Sequence, residues 1–178
     1  GIAGSSASPG KLIGGASDAV PSSLQVQGIL EVMELNRLGL FFNPREKNSM
    51  LIRNEFYQHA RTNNFKIVDF RSPPVGNVLE QNLQTIIDDP TIVDAVFFPS
   101  DSFLASKAHF IGAKLKEARI ASFGSLKEYI EGGLLMGLVV DYFSLGKAVA
   151  TIIDKHQNGS KFQDIPVVMP SAHLLYIN

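Results

Sequence analysis

Between Leu38 and Val140, short apolar runs alternate with segments that carry an apolar stripe at helical spacing. This alternation constrains the chain more than any single residue does. Five runs read as strands: Leu38–Phe42, Lys66–Phe70, Val93–Phe98, Ile120–Phe123 and Leu134–Val140. The spacing predicts a helix from Asn48 or Ser49 to Thr62, with Leu51, Ile52, Phe56 and Ala60 facing inward. It predicts further helices over 78–88, 103–118 and 126–131. Strands and helices in this rhythm build right-handed βαβ units and a parallel sheet. The fold class is therefore α/β: a three-layer, doubly wound parallel sheet of order 2-1-3-4-5. In that order the winding reverses between the first and third strands, and a crevice opens at their carboxyl ends.

Two polar corners fall at that crevice. The run Ala95–Phe98 stops abruptly in Pro99-Ser100-Asp101-Ser102, and the first strand runs into Asn43–Ser49. Both corners open helices, whose first amides are free donors. Asp101 reads either as a holder of a ligand ammonium or hydroxyl or as a helix cap, and one residue can do both. Ser49, Ser100 and Ser102 would place hydroxyls beside helix amides, where a carboxylate or phosphate could bind. Capping is the simpler job for any one of them. Glu46 and Lys47, in the first loop, could reach the cleft, with a solvated loop charge the simpler reading of each. Phe103, Phe123, Tyr142 and Phe143 are candidates for an aromatic wall, with core packing the better reading of Phe123.

The flanks follow other rules. Gly1–Lys11 is small, polar and glycine-rich and reads as a loop, and Leu12-Ile13 suits no more than one edge strand. Ser22 or Ser23 caps a helix to about Asn36. After Val140 the alternation lapses. Asp141-Tyr142-Phe143 reads as a loop, and Ser144 caps a helix to Gln157 that Asn158-Gly159 ends. Ile165–Met169 and Leu174–Ile177 are short extended pieces read as crossing to another layer or lobe. The chain divides into residues 1–36, a link and first helix; 37–143, a ligand-binding lobe; and 144–178, a crossover helix and terminal strands.

Composition closes off several functions. Hydrophobic residues make up 45% and charged residues 19% of the 178, enough for a sizeable core. A net charge of −1 argues against a nucleic-acid partner. Cysteine is absent, which removes disulfides, thiol nucleophiles and cysteine metal sites. The histidines at 59, 109, 156 and 173 have no spacing that suggests a metal, and no cofactor motif is present. No serine sits in a nucleophile elbow, so an enzyme is not expected. No apolar run approaches the ~20 residues that span a bilayer. Gly1–Gly10 lacks the charged region and apolar core of a signal peptide.

Four stretches together carry a resemblance. These are GKLIGGASDAVP from Gly10, LGLFFNPREKNS from Leu38, VDAVFFPSDS from Val93, and GLLMGLVVDYFSLGKAVATIIDKHQNGSKFQDIPV from Gly133. They resemble ABC-transporter substrate-binding proteins of the type 1 periplasmic-binding fold. The group is the one described as the periplasmic component of an ABC transport system, and some of its members look like aromatic amino-acid binders. The resemblance covers nearly the whole chain. It implies that the chain is the second lobe, with crossing segments, of a protein whose first lobe is of comparable size. It implies a small-molecule ligand, probed at Asn43, Asn48, Ser49, Ser100, Asp101, Ser102, Asp141 and Tyr142. By the same likeness, Ser49 and Ser100 would take a carboxylate, Asp101 or Asp141 an ammonium, and Tyr142 would cover the ligand. Members often carry Asp-Asn where Asp101-Ser102 stands, and a polar or acidic residue at the position of Leu126. The implied partner is an ABC permease, and the implied location is periplasmic or extracellular, with or without a membrane anchor. The Ser144–Gln157 helix would pack on the first lobe, or without it on a second copy in a homodimer. The alternative use of the fold is a ligand-sensing domain of a receptor or regulator.

Overall fold

The computed structural model describes residues 14–169 and 173–178. The loop expected at Gly1–Lys11 and the strand at Leu12-Ile13 lie outside the described residues. Among the described residues there are six strands: β1 (Arg37–Phe42), β2 (Lys66–Arg71), β3 (Ala95–Phe98), β4 (Ala121–Gly124), β5 (Met136–Val140) and β6 (His173–Ile177). The α-helices are α1 (Ser22–Val32), α2 (Lys47–Thr62), α3 (Val78–Asp88), α4 (Ser102–Ser106), α5 (Ala108–Glu117), α6 (Lys127–Glu131) and α7 (Tyr142–Gln157). The sheet order is β2-β1-β3-β4-β5-β6. β1 pairs in parallel with both β2 and β3, in register Leu40↔Asp69 and Leu40↔Phe97. The order expected for the first five strands is therefore the one found.

The sixth strand is a correction. Residues 174–177 do not leave for another layer but take the edge beside β5, where the Asn178 amide donates to the Leu135 carbonyl at 2.9 Å. The chain clusters into two compact units. The smaller joins residues 1–20 to 140–174, and the larger joins 21–139 to 175–178. In the smaller unit the return segment meets the opening one through a parallel bridge, Ala16 to Val168.

The core of the larger unit explains its layers. In β3 all four side chains are fully buried, and they alternate between the two faces. Ala95 and Phe97 join Leu38, Leu40 and Phe123 under α1 and α2, which contribute Val26, Ile29, Phe56 and Ala60. Val96 and Phe98 join Phe41 under α3 and α5, which contribute Leu79, Leu83, Ile86, Ile111 and Leu115. Each fully buried side chain of this size stabilises the fold by roughly 1.5–3 kcal/mol. Leu51 does not face inward as expected but is 60% exposed. With the helix packed on Ser49, Ile52, Phe56 and Ala60, position 51 falls off that stripe.

Three further helix expectations need correction. The helix over 103–118 is two helices that break at Lys107. The Ser106 hydroxyl donates back to the Phe103 carbonyl at 2.6 Å, and the Lys107 amide reaches Leu104 rather than Phe103. Such back-bonding tightens and ends a turn. α2 starts at Lys47, so neither Asn48 nor Ser49 caps it. α7 starts at Tyr142, so Tyr142 and Phe143 are helical and Asp141 is the cap. Its Oδ1 accepts from the Phe143 amide at 3.0 Å, and Ser144 donates to its Oδ2. An acidic cap has displaced the serine expected there.

Gly112 shows how closely α5 and α6 approach. A Cβ at that position would lie 2.1 Å from the Gly132 carbonyl oxygen, which is backbone and cannot swing away. Helix propensity alone makes Gly112→Ala stabilising by about 1 kcal/mol. The clash reverses the sign. The variant is expected to lose roughly 2 kcal/mol or more, read from the midpoint of urea unfolding; an unchanged or higher midpoint would show that the two elements separate freely.

Candidate functional site

β1 and β3 are neighbours and parallel, so the loops that follow them leave the sheet at the same end. The first loop is shaped by its own side chains. Asn43 Oδ1 accepts from the Arg45 amide at 3.0 Å, a local turn typical of asparagine. The Asn43 amide donates to Ser49 Oγ at 2.9 Å, which ties the end of β1 to the first turn of α2. Asn43 and Ser49 are both buried, while Asn48 is exposed.

The second loop is shaped by Asp101. Its Oδ1 accepts from the Leu104 amide at 2.8 Å and so caps α4. The residue is 1% exposed, and Oδ2 has no hydrogen bond of ordinary geometry. Burial pushes this carboxyl above the usual aspartate range. The Leu104 amide opposes that shift, the Glu46 charge adds to it, and the Ser49 hydroxyl opposes it weakly. Ser100 is half-buried and Ser102 exposed.

Glu46 joins the two corners. The Ser102 amide donates to both its carboxylate oxygens, at 3.1 and 3.0 Å, and the Ser102 hydroxyl donates to Oε1 at 3.2 Å. The reading of Glu46 as a solvated loop charge is thus corrected: the side chain is half-buried and engaged with the other loop. Nothing in the spacing points to this contact, which bridges 56 residues. Beneath it lies Tyr129, fully buried on α6, whose hydroxyl donates to the Pro99 carbonyl at 3.0 Å. Burial, then the charges of Asp101 and Glu46, hold that hydroxyl well above its ordinary range. Sequence reasoning passed over Tyr129, because a lone tyrosine on a five-residue helix carries no pattern.

Six of the eight residues singled out are therefore on these two corners. Asn48, Ser100 and Ser102 reach the surface; Asn43, Ser49 and Asp101 lie beneath. Asp141 and Tyr142 belong to the other compact unit and open α7. The Ser144 hydroxyl, then neighbouring amides, lower the Asp141 carboxyl. Tyr142 and Phe143 are exposed, and Lys147 Nζ stands 4.4 Å from the Phe143 ring centre. Phe123 is buried in the core cluster under α1 and α2, and Phe103 is half-buried against the cluster on the other face of the sheet, so neither forms an exposed wall. Among the described residues, no group of three His, Asp or Glu side chains could hold a metal.

The buried Asp101 makes stability pH-dependent. Folding raises its pKa, so its contribution is most favourable below about pH 4 and is lost as pH rises through the raised value. Asp101→Asn keeps an oxygen for the Leu104 amide and carries no charge. Its stability relative to the parent is expected to grow from about pH 4 upward and to level off once pH has passed the raised value. Asp101→Ala forfeits the cap and is expected to fall about 1 kcal/mol below Asp101→Asn. Urea unfolding at a series of pH values measures both, and a pH-independent difference between parent and Asn variant would contradict the burial.

Comparison with known proteins bears on the family and the fold. The family model described as ABC transporter substrate binding protein matches residues 1–178. A tyrosine-binding protein of Clostridioides difficile (strain R20291) is 22% identical over 172 residues, covering 96% of this chain and 48% of its own length. A conserved domain protein from Vibrio cholerae superposes with a TM-score of 0.84 at 22% identity, over 99% of this chain and 59% of that one. The ABC domain in complex with L-Trp from Streptococcus pneumonia does so with a TM-score of 0.82 at 25% identity, over 99% and 60%. The chain thus spans from just under half to three fifths of the length of these relatives. Its match over every residue to a family of binding proteins, rather than enzymes, leads to one statement of kinship: the chain belongs to the ABC transporter substrate binding protein family.

Proposed function

We propose that this chain forms the second lobe of an extracytoplasmic solute-binding protein that captures a small ligand, an amino acid or similar carboxylate, and presents it to an ABC permease. The observation that carries the reading is the pair of polar corners at the carboxyl ends of β1 and β3, joined by Glu46 and Ser102 above an otherwise apolar sheet. The family match supports the transport role. An aromatic amino acid is favoured by two relatives, one named for tyrosine and one solved with L-Trp.

In this reading, Asn48, Ser100 and Ser102 line the mouth. Asn43, Ser49 and Asp101 hold it in shape from below. Asp141 and Tyr142 act from the crossover, with Tyr142 covering the ligand. Residues 1–36 serve as link and first helix, 37–143 as ligand-binding lobe, and 144–178 as crossover and terminal strands. The exposed apolar residues of α7, Phe143, Val149 and Ile153, are covered by the remainder of the full-length protein or by a second copy. No bond is made or broken; binding closes a hinge, and the permease reads the closed form. Among the described residues no helix is long and apolar enough to cross a membrane.

Ligand binding to the folded state alone raises thermal stability in proportion to ligand excess. In the full-length protein, L-tyrosine or L-tryptophan at about 100 times its dissociation constant is expected to raise the melting temperature on the order of 5 °C. Arabinose, glucose and short fatty acids are expected to leave it unchanged. A response to a sugar with none to amino acids would end this assignment.

A further inference from the structure

We propose that the Glu46 carboxylate holds the cationic end of the ligand, taking its ammonium at the mouth between the β1 and β3 loops. This rests on the solute-binding reading above and narrows it to ligands that carry a protonated amine.

The first ground is the hydrogen-bond inventory at Glu46. A carboxylate offers about four acceptor sites. Ser102 supplies two hydrogens, one amide and one hydroxyl, and no lysine, arginine or histidine among the described residues forms an ion pair with Glu46. Arg45 and Lys47 flank it in sequence and are exposed. The carboxylate is thus positioned by neutral donors, half-buried and left with acceptor capacity. A charge so placed pairs more strongly than one in open water.

The second ground is the group beneath it. Asp101, next to Ser102 in the chain, is 1% exposed with Oδ2 unpartnered. The Glu46 charge is felt both there and at the buried Tyr129 hydroxyl, and it disfavours the ionised form of each. The corner therefore carries negative charge that the protein does not neutralise. A cation at Glu46 would relieve the repulsion on Asp101, whereas an anion would add to it.

The same geometry excludes other occupants. The Ser102 and Leu104 amides, which open α4, already serve the carboxylates of Glu46 and Asp101. A ligand carboxylate finds those donors taken and two negative charges beside them. Asp101 itself is too deep to touch a ligand and is committed to the cap. A metal ion would need more carboxylate or histidine ligands than come together here. An ammonium, with three donors, suits one carboxylate with the half-buried Ser100 and the exposed Asn48 as neutral neighbours.

The test is calorimetric titration of the full-length protein, as parent, Glu46→Gln and Ser102→Ala. The probes are L-tyrosine and L-tryptophan, the amine-free acids 3-(4-hydroxyphenyl)propionate and indole-3-propionate, and the carboxylate-free amines tyramine and tryptamine. Gln keeps an acceptor for Ser102, and a melting temperature within a few degrees of the parent shows that the corner is intact. Glu46→Gln is expected to weaken the amine-bearing probes roughly 10- to 100-fold and to leave the amine-free acids as they were, so that discrimination between each amino acid and its acid collapses. Ser102→Ala, which keeps the charge, is expected to cost the amine-bearing probes only a few-fold. An equal loss for all probes would make Glu46 a mere latch between loops and overturn the proposal. So would no loss for the amine-bearing probes, or a parent that binds none of them. A parent that binds tyramine or tryptamine but neither amino acid would end the amino-acid reading alone, and Glu46 would then be judged on the amines.

Discussion

The burial of β1 and β3 on both faces is the constraint on which the rest of the molecule depends. Leu38, Leu40, Phe41 and Ala95–Phe98 are shut from water, with one half of their side chains against α1 and α2 and the other half against α3 and α5. A polar side chain in the middle of either strand would face a desolvation cost of several kcal/mol with no partner in reach. Polar chemistry is thereby confined to the strand ends. At the amino end it is structural: Asp94 Oδ2 accepts from the Asn36 and Arg37 amides and sets where β1 begins. At the carboxyl end the strands give way to Asn43–Ser49 and Pro99–Ser102, and there the side chains have acceptor capacity to spare.

That carboxyl end is not the simple anion cradle that two serine-bearing helix starts suggest. At the start of α4 the amides of Leu104 and Ser102 are taken by the protein's own carboxylates, Asp101 and Glu46. Internal carboxylates at these positions satisfy donors that would otherwise be orphaned when the loops pack. They also invert the sign of the local field. A corner that looks positive when only helix ends are counted becomes negative once these side chains are placed. A buried hydroxyl on Tyr129, donating to Pro99, holds the second loop so that Ser102 faces Glu46 rather than solvent alone.

The parts legible in the sequence are those set by periodicity. Strand positions, the parallel order of the first five strands and the location of the crevice follow from apolar spacing and from the handedness of βαβ units. Both polar corners were legible for the same reason, since the apolar runs end where they end. What periodicity misses is competition between nearby hydrogen-bond partners. Asn48, Ser49 and Ser144 are all plausible caps by residue type, yet Ser49 is taken by the Asn43 amide and Asp141 outcompetes Ser144. The break at Lys107 turns on one serine bonding backwards, which no apolar stripe records. The sixth strand is legible as an extended piece but its place in the sheet is not: Leu175 and Ile177 are 54% and 67% exposed, so its pattern is not that of a buried strand.

Glu46 marks the boundary of what one sequence can disclose about a site. As a charged residue in a loop it is indistinguishable from Arg45 or Lys47 beside it. Its importance comes from Ser102, far along the chain, and only the crossover between β1 and β3 brings the two together. Such contacts do little for stability, because an exposed serine pairs with a carboxylate at small net gain. Their value is geometric: they fix a charge in one place before any ligand arrives, so that less conformational freedom is lost when one does. A binding lobe gains more from a carboxylate already held in position than from a stronger one that must first be ordered. On that ground the corner is better understood as a prepared half of a recognition site than as a pair of capped helices.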